Sequence, residues 1–121
     1  MNVAVIGASA DRKKYGNKAV RAWIAAGHSV YPVNPKENEI EGIRCYKSIS
    51  EIPVNVDVAT LYLPPSAAVL ALDQIAEKKV GLVYVNPGVE SPELSAKGKT
   101  LKLRLINACS ILAAGQDPEK L

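Results

Sequence analysis

Short apolar runs alternate along this chain with stretches of helical periodicity, and that alternation restricts the fold more than anything else in the sequence. The runs are residues 2–6, 29–33, 58–63, 82–85 and about 102–106. Their starts lie roughly 20–30 residues apart, the length of a strand, a helix and two loops. The central runs are almost continuously apolar, as expected of strands covered on both faces of a parallel sheet. Between them, Val20, Trp23 and Ile24 form a stripe over 17–26, followed by Gly27 as a stop. Val69, Leu72, Ile75 and Ala76 share a face over 66–79, with Lys78-Lys79 at the negative end of the helix dipole. Ser91-Pro92-Glu93 reads as an N-cap, first position and acidic first turn. Ser48-Ile49-Ser50-Glu51 has capping-box spacing, cut to about one turn by Pro53. The expected fold is α/β: a Rossmann-like, doubly wound sheet of five parallel strands in the order 3-2-1-4-5, with helices on both faces. Residues 1–114 form this domain, and 115–121 are expected to be a loose tail.

In such a sheet the ligand sits outside the carboxyl ends of the strands, where the strand order reverses. The first loop there runs from Gly7-Ala8-Ser9 to Gly16-Asn17-Lys18. Gly7 permits a tight turn after the strand, Ser9 brings a hydroxyl, and Gly16 lets the second half of the loop approach a ligand. Arg12, Lys13 and Lys18 add positive charge. The gap between the glycines is too long for G-x-G-x-x-G, and no Walker motif is present, so the loop indicates a bound phosphate without naming its owner. The second strand ends in Asn34-Pro35-Lys36. An NAD-binding domain places an acid here to hold the ribose hydroxyls. Its replacement by an amide, a proline and a cation points to a ribose that carries phosphate, a description NADP and coenzyme A (CoA) both meet.

Charge is distributed accordingly. Residues 1–36 carry six basic side chains against Asp11 alone, whereas the other 85 carry nine basic and eleven acidic ones. No aromatics interleave the basic run, which favours a small anionic nucleotide over nucleic acid. The apolar content of 48% and charged content of 22% are those of a globular chain. The longest mostly apolar stretch is broken by Pro64-Pro65-Ser66, short of the ~20 residues of a membrane span. No basic segment precedes the first apolar run, so a signal peptide is not indicated and a cytoplasmic location is expected. With two cysteines, Cys45 and Cys109, and one histidine, His28, the chain lacks a structural zinc set.

Taken together, Val5-Ile6-Gly7-Ala8-Ser9, Tyr15-Gly16-Asn17, Val33-Asn34-Pro35, Ile40-Glu41-Gly42, Val56-Asp57, Leu63-Pro64 and Asn86-Pro87-Gly88 resemble the small CoA-binding domain proteins. These are relatives of the nucleotide-binding part of the succinyl-CoA synthetase alpha subunit. The resemblance spans nearly the whole chain. It implies that Gly7, Ala8 and Ser9 face the CoA pyrophosphate, that Asn34 and Pro35 lie near the adenosine, and that Pro64 lines the same groove. Pro87 and Gly88 join these as binding candidates, and Lys18 and Lys36 are added on chemical grounds. Where many relatives have Arg-Cys after the last strand, this chain has Asn107-Ala108-Cys109. The phosphorylated histidine of the synthetases belongs to a further domain that this sequence does not contain. His28 falls at the opposite edge of the sheet, and Cys109 has no histidine to activate it. The expectation is a stand-alone CoA or acyl-CoA binding module without catalysis, a regulator or carrier. The alternatives are a minimal NADP-dependent oxidoreductase or a subunit of an acyl-CoA ligase, with a degenerate interaction domain as a third reading.

Overall fold

A computed structural model describes residues 1–121. Its elements are β1 (Asn2–Ile6), α1 (Tyr15–Ala25), β2 (Ser29–Val33), β3 (Glu39–Ile40), β4 (Ile43–Arg44), β5 (Val58–Leu61), α2 (Pro65–Glu77), β6 (Leu82–Val85), α3 (Pro92–Thr100), β7 (Leu105–Asn107) and α4 (Ser110–Ala113). Single 3-10 turns span Ile49–Glu51 and Pro118–Lys120.

The main sheet is five-stranded and wholly parallel, in the order β2-β1-β5-β6-β7. Alternation along the strands feeds two cores. Ala4, Ile6, Ala59, Leu61, Val83 and Val85 face α2 and α3, and Val3, Val5 and Val58 face α1 and α4. The unbroken apolar runs therefore reflect burial on both faces.

The expected strand order is corrected. Among the main strands it is 2-1-3-4-5, so the third strand lies beside the first and not beyond the second. The reason lies in residues 34–46. The β3–β4 hairpin, absent from the sequence expectation, brings Tyr46 to the outer edge of β2 through a bridge to Val33. The Tyr46 N–H donates to the Pro32 carbonyl at 2.9 Å, and the Asn34 N–H donates to Tyr46 at 2.9 Å. Pro32 has no N–H, which suits it to an edge strand. With that edge occupied, β5 crosses to the other side of β1. The strand order therefore reverses between β1 and β5.

Smaller differences are local. Ile24 is 41% exposed, so the buried face of α1 is Ala19, Val20, Ala22 and Trp23. The last strand starts three residues later than expected, after a turn at Lys102 with φ 59°. Ser91 caps α3 as expected, its Oγ accepting from the Leu94 N–H at 3.1 Å. In the 48–51 turn, the Glu51 carboxylate accepts from the Lys47 N–H, while Ser48 makes no side-chain cap. The last seven residues do not trail loosely. They turn back on α1, where the Lys18 ammonium donates to the Pro118 carbonyl at 3.3 Å and Leu121 packs on the second core. No helix is long and apolar enough to cross a membrane.

Candidate functional site

The carboxyl ends of β1, β2 and β5 open onto a cleft with two arms. The inner arm, about 310 Å³, reaches from Gly7 and Asn34 past Pro35 and Lys47 to Gln74. The outer arm, about 430 Å³, runs over Ala8, Ser9, Lys14 and Gly16 to Pro87 and Gly88. Gly7, Asn34 and Leu63 line both.

Two glycines make this approach possible. Gly7 leaves β1 at φ 88°, and a Cβ there would overlap the Tyr62 carbonyl at the end of β5. A Cβ on Gly16 would overlap the Gly7 carbonyl, so α1 starts directly against the end of β1. No acidic residue occupies its first turn, and Lys14 caps it without a side-chain bond. The positive end of the helix dipole is therefore left to the cleft.

The long gap between the glycines is filled by a self-bonded loop. Ser9 Oγ accepts from the Asp11 N–H at 3.0 Å, and Asp11 Oδ1 accepts from the Lys13 N–H at 3.0 Å. Beneath it, the fully buried Asn17 donates to the Ser9 carbonyl at 2.9 Å and to Glu41 at 3.1 Å, and accepts from Arg21 at 2.8 Å. Glu41 and Gly42, both at positive φ, form the hairpin tip that reaches this asparagine. Asn34 donates to the Ala8 carbonyl at 2.8 Å and accepts from the Lys36 N–H at 2.8 Å. The loop is thus fixed from both sides before any ligand arrives.

One detail changes the expected chemistry. The Gly7 and Ala8 N–H groups both donate to the Val33 carbonyl, at 3.1 and 3.2 Å. They are committed to joining β1 to β2. The Ser9 N–H has no acceptor within the chain, and its hydroxyl proton is free to donate because its oxygen already accepts. The N–H and hydroxyl of Ser9, with the unpaired N–H groups at the start of α1, are thus the donors this loop leaves open.

Of the residues singled out from the sequence, Gly7, Ala8, Ser9, Gly16, Asn34, Pro35, Pro87 and Gly88 come together on the cleft lining. Arg12, Lys13, Lys18, Lys36 and Pro64 do not. Arg12 pairs with Glu41 at 3.5 Å, and Lys18 lies over the Tyr15 ring on its way to Pro118. Lys13 and Lys36 are exposed, and Pro64 is the exposed cap of α2. The lysines that do line the cleft are Lys14 and Lys47, the latter donating to the Pro35 carbonyl at 3.4 Å. No Asp or Glu lines either arm. Lys14 lies in the basic run already visible in sequence, whereas Lys47 arrives only through the hairpin.

Behind Pro87 and Gly88 lies a buried polar network. Asn86 donates to Thr60 Oγ1 at 2.7 Å and to the Leu61 carbonyl at 2.8 Å, and its Oδ1 accepts from the Ser110 N–H at 2.9 Å. Ser110 Oγ bonds Thr60 at 2.7 Å and the Tyr62 hydroxyl at 3.0 Å. Burial pushes the Tyr62 phenol above its ordinary value, against a smaller opposing effect from the Ser110 and Thr60 hydroxyls. Burial likewise raises the Cys45 thiol beneath Asn34, keeping it protonated and inert. His28 sits at the far edge of the sheet beside Trp23, bonded to the N-terminal amine at 3.2 Å. The chain contains no cluster of three His, Cys, Asp or Glu side chains able to hold a metal.

A parallel sheet with an acid-free, lysine-bearing cleft at its switch point defines a nucleotide-binding domain of the Rossmann type. More narrowly, the chain belongs to the CoA-binding domain family, whose model matches residues 1–115. It is 38% identical over 106 residues to the alpha subunit of an ADP-forming acetate–CoA ligase II from Pyrococcus furiosus, covering 86% of this chain and 23% of that subunit. The chain spans less than a quarter of the length of the ADP-forming acetate–CoA ligases it matches. Among solved structures, a conserved hypothetical protein from Pyrococcus furiosus superposes with a TM-score of 0.85 at 30% identity, over 93% of this chain and 97% of the other. A hypothetical protein from Pyrococcus horikoshii gives 0.86 at 29% identity, over 91% and 78%.

Proposed function

We propose that this protein binds CoA or acyl-CoA along the cleft and has no catalytic machinery of its own, acting as a carrier or regulator of the bound nucleotide. The observation that carries the reading is a lining with two lysines and no carboxylate, in a chain of the CoA-binding family. Lys47 and Asn34 mark the adenosine end, and Ser9 with the start of α1 marks the diphosphate. The lining holds no histidine or acid, so it offers no general acid–base pair at neutral pH.

A thermal-shift panel tests this. CoA is expected to raise the melting temperature and NAD to leave it unchanged, because β2 ends without the ribose-binding acid. A ligand at a hundredfold excess over its dissociation constant stabilises the fold by about 2.7 kcal/mol. Equal shifts from CoA and NAD, or a larger one from NADP than from CoA, would refute the reading. The similarity to ligase subunits favours a second reading, in which the chain is the CoA-binding part of an assembled acyl-CoA ligase. ADP-forming ligase activity on mixing with a copurifying partner is its test.

A further inference from the structure

A third cavity, of about 250 Å³, continues the cleft beyond its outer arm. Its walls are Tyr15, Tyr62, Asn86, Pro87, Cys109 and Pro118, of which Tyr15, Tyr62 and Pro87 also line the outer arm. Three cavities thus follow in series from Lys47, past Ser9, to Cys109. A ligand built as a nucleotide, a diphosphate and a long flexible arm would cross them in that order and leave its sulfur end in the third.

The walls of this third space have few polar groups left to offer. The Asn86 amide is committed at both ends to Thr60, Leu61 and Ser110. The Tyr62 hydroxyl is held by Ser110, and the Pro118 carbonyl is taken by Lys18. The two prolines bring only ring carbons as side chains. Only the Tyr15 hydroxyl and the Cys109 thiol lack a partner in the chain, so a charged chain entering here would lose its water and recover little of it. A saturated chain gains on leaving water. Size sets the other limit: at about 30 Å³ per water-sized group, the space admits on the order of eight such groups.

We propose that this cavity holds the short, saturated acyl group of an acyl-CoA and discriminates against acyl chains ending in a charge. The inference rests on the CoA reading of the cleft. The C-terminal turn then has a function, since Pro118 supplies one wall of the acyl site and Lys18 holds it in place.

Calorimetric titration of the full chain with CoA and its acetyl, butyryl, malonyl and dodecanoyl thioesters tests the proposal. Affinity is expected to rise about fourfold per methylene from acetyl to butyryl, the ratio set by about 0.8 kcal/mol per buried CH₂. Malonyl-CoA should bind no tighter than CoA, and dodecanoyl-CoA should fall below butyryl-CoA. Cys109→Met, which fills the space, should bring the butyryl-to-CoA affinity ratio towards one. Pro118→Ala, which removes part of a wall on an exposed turn, should lower the same ratio and keeps the test available if the first variant does not fold. CoA binding with no gain from acetyl to butyryl overturns the acyl site and leaves the cleft reading standing. A monotonic rise through dodecanoyl also overturns it, since an open apolar surface would behave that way. No binding by any of the five ligands overturns both.

Discussion

Asn86→Asp makes the buried network behind the cleft report on itself. The substitution preserves shape and exchanges one donor group for an acceptor. In the parent, Nδ2 lies 2.7 Å from Thr60 Oγ1 and 2.8 Å from the Leu61 carbonyl, at a residue only 2% exposed. The Thr60 hydroxyl is able to reverse and donate to a carboxylate, because either member of its pair with Ser110 can be the donor. The Leu61 carbonyl cannot reverse. An ionised carboxylate would meet it acceptor to acceptor, whereas a protonated one donates to it. Burial and this contact raise the pKa of the new group in the folded state above its unfolded value of about 3.9, against the smaller opposing effect of the Ser110 N–H and Thr60 hydroxyl donors. The folded state then binds more protons, so stability falls as pH rises from about 4 through the folded pKa. With a shift of about two units at 1.36 kcal/mol each, the loss is about 2.7 kcal/mol. Urea unfolding followed by far-UV circular dichroism, on parent and variant at pH 4 and pH 7, measures it. The stability gap between the two proteins should widen by about 2–3 kcal/mol at the higher pH. A gap equal at both pH values to within about 0.5 kcal/mol would show that Leu61 and Asn86 are not coupled as the distances imply.

Lys47→Ala should weaken CoA more than dephospho-CoA, by roughly 0.5–2 kcal/mol for a partly exposed charge contact, and the difference should shrink with salt. Lys36→Ala should leave that difference nearly intact, and titration of both ligands into both variants decides between them. Tyr62 has a phenol raised by burial, so the unfolded state ionises first and stability should drop as pH climbs from about 10 through the raised folded value. Tyr62→Phe should remove that alkaline component, and an unchanged alkaline slope in urea titrations would refute the assignment.

The parts of the fold legible in sequence are those set by local pattern. Residues 3–6 are apolar on both faces and 58–61 nearly so, Gly7 breaks the first strand, and Ser91-Pro92 opens a helix, so strand identity, parallel class and the phosphate-loop glycines all follow from neighbours in the chain. The strand order does not. It depends on a hairpin whose strands are two residues each, too short for any periodicity, and on a bridge at Tyr46 that closes the outer edge of β2. The same hairpin decides which lysine reaches the cleft. Lys36 follows the Asn34-Pro35 turn directly, yet it is Lys47, eleven residues later, that the returning chain brings to the lining. The commitment of the Gly7 and Ala8 N–H groups to Val33 was likewise hidden, because a shared carbonyl acceptor leaves no trace in residue type. Asn17 carries a recognisable motif, but its clasp on Glu41 is a contact across 24 positions.

The chain has a single tryptophan, and its position makes it an unusually selective reporter. Trp23 is 3% exposed and packs between His28 and Tyr84, about two turns along α1 from the cleft, a distance of roughly 12 Å. Neither Trp23 nor its two ring partners lines a ligand cavity. Its emission therefore registers the loss of the sheet-to-helix contact when the domain melts and stays indifferent to whatever occupies the opposite edge. Stability can be read at that one wavelength in the presence of any nucleotide, with ligand binding entering only through the midpoint and never through the signal itself.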